Sequence, residues 1–114
     1  MKKRKNKVGF LEKVTIRGPE GSKKLTARVD TGAARNSIDK NLAKKLGIKT
    51  VVKHKIIKSA HGVKKRPVVK AGLAIAGRNF IIEFTLADRK HMKYEALIGR
   101  NTLKKGFMVD PDKK

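Results

Sequence analysis

Asp30-Thr31-Gly32 is the string in this chain best suited to chemistry. Its carboxylate follows an alternating stretch, Leu25, Ala27 and Val29, and so leaves a strand where the chain must turn. Gly32 permits backbone geometry and close approach that a side chain would bar, while the Thr31 hydroxyl can hold the turn by hydrogen bonds. Such residues also build ordinary turns, so the string alone assigns no activity. A second string, Ala96-Leu97-Ile98-Gly99-Arg100-Asn101-Thr102-Leu103, reads as a strand closed by glycine with a helix start behind it. The histidines His54, His61 and His91 fall on presumed loops without ligand-like spacing, and the chain has neither His-Glu-x-x-His nor a Gly-rich phosphate loop. No metal and no cofactor are expected.

The elements that must position these strings are mostly of period two. Val14 and Ile16 alternate with polar neighbours, Gly18 to Ser22 reads as a turn, and Leu25 to Val29 alternates again, which predicts a hairpin leading into Asp30. Ser37 is the expected cap of a helix over Ile38 to Leu46, with Gly47 just past its end. Val51 to Val69 reads as a long hairpin with Ser59-Ala60-His61-Gly62 at its tip. Phe80, Ile82, Phe84 and Leu86 form the inward side of the cleanest strand, with Glu83 outward as a partner for a Lys or Arg. A strand over Tyr94 to Ile98, a helical turn at Asn101 to Gly106 and a last strand at Phe107 to Val109 complete six or seven strands with little helix. The pattern predicts a small closed or folded-over β structure.

Composition limits the partners. The chain has 114 residues, 31 Lys plus Arg, 9 Asp plus Glu, a net charge of +22 and no cysteine. One domain fits that length, and disulfide scaffolds and Cys-based zinc ribbons are excluded. Nothing approaches the roughly 18 apolar residues of a membrane span, so no membrane partner and a cytoplasmic setting are expected. The charge excess has two readings. It can attract a polyanion, whether nucleic acid or an acidic polypeptide, or it can serve solvation in a Lys-rich, Gln-free chain.

A strand ending in Asp30-Thr31-Gly32, paired with a later strand ending in Leu97-Ile98-Gly99-Arg100-Asn101, resembles the retropepsin-like aspartic proteases. Ala27 to Ser37, with Leu97 to Asn101 and Phe107 to Pro111, is similar to the small prokaryotic retropepsin-like group labelled ATP-dependent zinc proteases, although the residues above offer nothing for zinc or ATP. The likeness runs from about Val14 to Val109. It implies a mainly β fold, a small closed β barrel with one or two short helices, acting as a homodimer. It also implies a basic flexible tail over 1–7, a protease domain over 8–110 and a polar tail over 111–114.

Residue by residue, the resemblance implies Asp30 as the catalytic acid, Thr31 and Gly32 as its turn, and Leu97, Ile98, Gly99 and Arg100 as the supporting motif. Ala33 would touch substrate, and Ser59, Ala60, His61 and Gly62 would form a flap over an extended peptide. Two carboxyls must share one proton in this chemistry, and the chain has one Asp-Thr-Gly, so the second is expected from another copy. Retroviral members carry an acid where this chain has Ala34, which leaves Arg100 either to an altered role or to packing with its head on carbonyls or Asp110. The expected function is therefore an aspartic endopeptidase acting on peptides or proteins, with acidic segments favoured by the charge. A basic RNA- or ribosome-binding β module and a peptide-binding protein without catalysis are the alternatives.

Overall fold

The computed structural model describes residues 6–113. Its strands are β1 (Asn6–Val8), β2 (Leu11–Gly18), β3 (Gly21–Val29), β4 (Asn36–Asp39), β5 (Val51–Ser59), β6 (Gly62–Ile75), β7 (Arg78–Ala87), β8 (Ala96–Ile98) and β9 (Phe107–Val109). The helices are α1 (Lys40–Lys45) and α2 (Arg100–Leu103).

Six strands close on themselves in the order β2-β3-β8-β4-β7-β6, and β6 returns to β2 through Val14↔Ile75 to Arg17↔Gly72. Closure follows from the alternation: each strand turns one apolar row inward, and a ring removes the unpaired edges an open sheet would leave. Val14, Ile16, Ala27, Ile38, Leu73, Ile75, Phe84 and Ile98 meet inside, all nearly or wholly buried. Ile82 and Phe84 of the alternating strand are buried as expected, with Phe80 and Leu86 packed partly against them.

β5 lies outside the ring. It pairs antiparallel with the first half of β6, whose second half belongs to the barrel wall. The two-residue turn Ala60-His61 joins them, and Gly62 follows with φ of +116°, a left-handed conformation that glycine adopts without a steric penalty. Ser59 to Gly62 thus form the hairpin tip, as the spacing predicts.

Several elements differ from the sequence reading. Asn36 to Asp39 are a strand paired parallel to β7 and antiparallel to β8, so Ser37 and Ile38 do not start the helix. Asp39 caps α1 instead, its carboxylate accepting from the N–H groups of Asn41 and Leu42 at 3.2 and 3.4 Å. Tyr94 precedes the strand that it was expected to begin. Asn6 and Lys7, grouped by sequence with a basic tail, pair with Phe107 and Met108 in a parallel two-stranded sheet, and residues 1–5 of that tail lie outside the described residues. At the other end Lys113 is tied down: its Nζ meets Glu12 at 2.7 Å and donates to the Lys7 carbonyl at 2.9 Å, while Lys114 lies outside the described residues.

Candidate active site

β3 and β8 run parallel, with Arg28 opposite Leu97 and Val29 opposite Ile98. The ladder extends one residue further, where the Asp30 N–H donates to the Ile98 carbonyl at 2.9 Å. Strand pairing therefore sets the backbone of the acid directly beside the second motif. Past it the chain turns. The Gly32 N–H donates to Asp30 Oδ1 at 2.8 Å and the Ala33 N–H to the Asp30 carbonyl at 3.2 Å, which holds the carboxylate over its own loop, half-exposed.

The second motif clamps that loop from below. Arg100 donates its backbone N–H to the Ala33 carbonyl at 2.8 Å and its Nη1 to the Thr31 carbonyl at 3.0 Å, and the Asn101 N–H reaches Ala34 at 3.2 Å. Arg100 thus places its head on a carbonyl of the acid-bearing turn, and not on Asp110. Gly99 is required by proximity: a Cβ there would lie 2.5 Å from the Arg35 carbonyl and 2.9 Å from that of Ala33.

A polar hub that the sequence reading missed joins these parts. Asn36 is fully buried. Its Oδ1 accepts from the Gly99 N–H and the Thr102 hydroxyl, both at 2.9 Å, and its Nδ2 donates to the Glu83 carbonyl at 3.2 Å. Asn101 adds two bonds, accepting from the Asn36 N–H at 2.8 Å and donating to the Glu83 carbonyl at 2.9 Å. The barrel interior therefore holds β4, β7 and the start of α2 in one arrangement, since each of these groups would lose a partner if the others moved. No local pattern marks it, since Asn36 is a residue type common in turns and stands just before the stretch that reads as a helix.

The carboxylates are distributed unevenly. Glu83 meets Arg35 Nε at 3.5 Å and Lys53 Nζ at 3.2 Å, linking the root of the hairpin to the residue after the Asp30 loop. Arg89 is nearly buried, its Nε donating to the Tyr94 carbonyl at 3.0 Å while its N–H reaches Asp39 Oδ1 at 2.8 Å. Burial holds the Arg89 guanidinium below its ordinary pKa, an effect that Asp39 opposes and the Arg28 cation reinforces.

Two hollows flank the Asp30 turn. One is lined by Phe10, Leu11, Arg28, Asp30, Thr31 and Tyr94, so the acid stands in its wall. The other has a volume of about 370 Å³ and lies between Ala33 to Arg35 on the barrel and Lys55, Ile57 and Arg66 on the hairpin. The hairpin body and the Asp30 loop thus share a hollow, with Ala33 in its lining. Among the described residues no three His, Asp or Glu side chains gather as metal ligands, and no helix is long and apolar enough to cross a membrane.

A family model described as "RimB-like: Retropepsin-like aspartic endopeptidase RimB" matches residues 36–114, beginning six residues beyond Asp30. A curated relative from Shewanella halifaxensis (strain HAW-EB4), "Probable alpha-L-glutamate ligase", is 34% identical over 62 residues, which are 54% of this chain and 14% of that protein. The chain therefore spans about one seventh of that relative's length. Among solved structures, the protein Lpg0085 of unknown function from Legionella pneumophila superposes with a TM-score of 0.65 at 22% identity, covering 95% of this chain and 94% of that one. The solution structure of Simian Foamy Virus (mac) protease gives 0.61 at 21% identity, covering 82% and 91%. At these identities the likeness is one of fold: a mainly β, closed retropepsin-like barrel.

Proposed function

The chain belongs to the RimB-like family of retropepsin-like aspartic endopeptidases, and from that premise we propose that it is a homodimeric aspartic peptidase whose reacting carboxyl is Asp30. The observation that carries the reading is the position of that carboxylate: half-exposed beside a hollow, on a loop clamped by Arg100 and registered against Ile98. A rigid frame around an accessible acid is what positioned acid–base chemistry requires.

Two Asp30 carboxyls brought together across a two-fold axis would share one proton, because like charges about 3 Å apart do not both ionise. The ionised member removes a proton from water, whose oxygen bonds to the scissile carbonyl carbon. The protonated member gives its proton to the carbonyl oxygen. Collapse of that intermediate breaks the C–N bond: the carboxyl that took the water proton gives it to the nitrogen while the other carboxylate takes one from a hydroxyl of the intermediate, so the pair again holds one proton. Thr31 and Gly32 shape the loop, Leu97, Ile98, Gly99 and Arg100 support it, and Ala33 faces substrate. The tip residues Ser59, Ala60, His61 and Gly62 close over an extended peptide.

Acidic peptides are the substrate class the charge favours, given +22 over the chain. The name of the Shewanella halifaxensis relative, a probable glutamate ligase, points the same way, since glutamate is acidic. The test is cleavage of an unstructured acidic polypeptide by the chain and by Asp30→Asn, with sedimentation to follow association. Cleavage should vanish in the variant while the dimer persists. A strictly monomeric protein at high concentration, or full activity in Asp30→Asn, would refute the assignment.

A second reading, an RNA-binding β module, is favoured by one observation: no Asp or Glu lies between Asp39 and Glu83. Under it, RNA binding survives Asp30→Asn and falls steeply with added salt.

A further inference from the structure

The hollow between barrel and hairpin is unusual in its charge. Lys55 and Arg66 are opposite each other in the β5–β6 register and so share a face. That face points into the hollow, since Lys55, Ile57 and Arg66 all line it. Across from them stand Arg35 and the nearly buried Arg89. The one carboxylate in the lining is Asp88, whose Oδ1 accepts from the Lys90 N–H at 3.3 Å. Among the described residues, Lys55, Arg66, Asp88 and Arg89 take part in no ion pair.

Next to this hollow the molecule already contains the missing arrangement. Glu83 receives Arg35 from the barrel side and Lys53 from the hairpin, so one carboxylate joins the two parts at the root. Lys53 is two residues before Lys55, on the same face of β5. The pattern of a wall arginine facing a hairpin cation is thus repeated one step out, without its acid.

We propose that the β5–β6 hairpin is an electrostatic gate, which closes on the barrel when an acidic side chain of an extended peptide stands between Lys55 and Arg66 on one side and Arg35 and Arg89 on the other. The gate rests on the peptidase reading for the peptide's path, and it adds a device for selecting substrate. With the hollow empty, like charges oppose closure. A carboxylate reverses the sign of the interaction and supplies charge-assisted hydrogen bonds that exist only in the closed arrangement. A ligand shifts an equilibrium only through such a difference between states, so an uncharged isostere should leave the hairpin open. Ile57, Leu97 and Met92 give the hollow apolar surface for the methylenes of that side chain.

The test compares two extended peptides that differ only by Glu against Gln. In the full chain carrying Asp30→Asn, hydrogen exchange over residues 51–69 should slow with the Glu peptide and remain fast with the Gln peptide, and added salt should erase the difference. Lys55→Gln with Arg66→Gln in the same background should slow hairpin exchange before any peptide is added and make the two peptides equivalent. Arg66→Glu should transfer protection to a peptide with Lys at that position. With Asp30 in place, the Glu-to-Gln change should lower kcat/KM about tenfold, shrinking to about twofold in the double variant. Equal protection by both peptides, protection by neither, or a difference that survives the double substitution overturns the gate. Cleavage is scored separately. Peptides cut without discrimination leave the peptidase reading intact and remove the gate, whereas selective protection without cleavage does the reverse.

Discussion

The Asp30 turn and the β5–β6 hairpin border one hollow yet are built on opposite plans. The turn is held by backbone bonds from Ile98, Ala33 and Arg100 and by a buried asparagine hub whose every partner is satisfied. The hairpin extends beyond the barrel with exposed Ile56 and Val63 and several lysines, and an ion pair from Lys53 to Glu83 ties its root to the barrel. In the peptidase reading, reacting groups need placement within fractions of an ångström, while a part that admits and releases a chain must move. Order and freedom are thus assigned to separate segments, and substitutions in the two should fail differently.

The largest effect should come from Asp30→Asn. Its side-chain oxygen still accepts from Gly32, so folding stability should change by no more than about 0.5 kcal/mol, whereas turnover should fall by roughly 10²–10⁴-fold. Paired urea titration and peptide cleavage read both quantities. Asn36→Ala attacks the support instead of the acid. It strands the Gly99 N–H and the Thr102 hydroxyl, leaves the Glu83 carbonyl to Asn101, and should cost about 3 kcal/mol of stability in the same titration.

Arg100→Ala removes one bond to the Thr31 carbonyl at an exposed site. It should reduce turnover about tenfold with a stability loss of about 1 kcal/mol, so that geometry suffers more than folding does. Glu83→Gln breaks both pairs at the hairpin root. Global stability should move by less than about 1 kcal/mol while amide exchange over 51–69 speeds up, a local effect that leaves the Asp30 loop unchanged. If exchange at residues 29–34 accelerated as well, the two regions would not be independent.

What the sequence disclosed and what it hid divide along a physical line. Local alternation revealed β2, β3, β7 and the tip of the hairpin, since each depends on neighbours a few residues away. β4 was hidden because Asn36, a residue typical of turns, occupies an inward position that only partners from β7, β8 and α2 can satisfy. Asp39 and Ser37 are both good caps, and pairing of Ser37 with Thr85 and Leu97 decided between them. β1 looked like tail because its lysine-rich context outweighs a three-residue pairing with β9. At the site, the two strings were legible, and their adjacency was what the family resemblance implied. A carbonyl for Arg100 and a Lys or Arg for Glu83 are among the sequence expectations, but the particular partners, Thr31, Arg35 and Lys53, and the cationic hollow are not, because each depends on side chains meeting across segments far apart in the chain.

The distance along the chain between the acid-bearing loop and its clamp has a further result. Thr31 and Arg100 are 69 positions apart, and their union must await both the barrel wall and β8. Non-local β closure of this kind proceeds in roughly milliseconds to seconds, slower than local helix formation. During synthesis, Asp30 therefore emerges long before anything can hold it in working shape. Under the peptidase reading, an unfinished chain therefore lacks the frame that its acid needs.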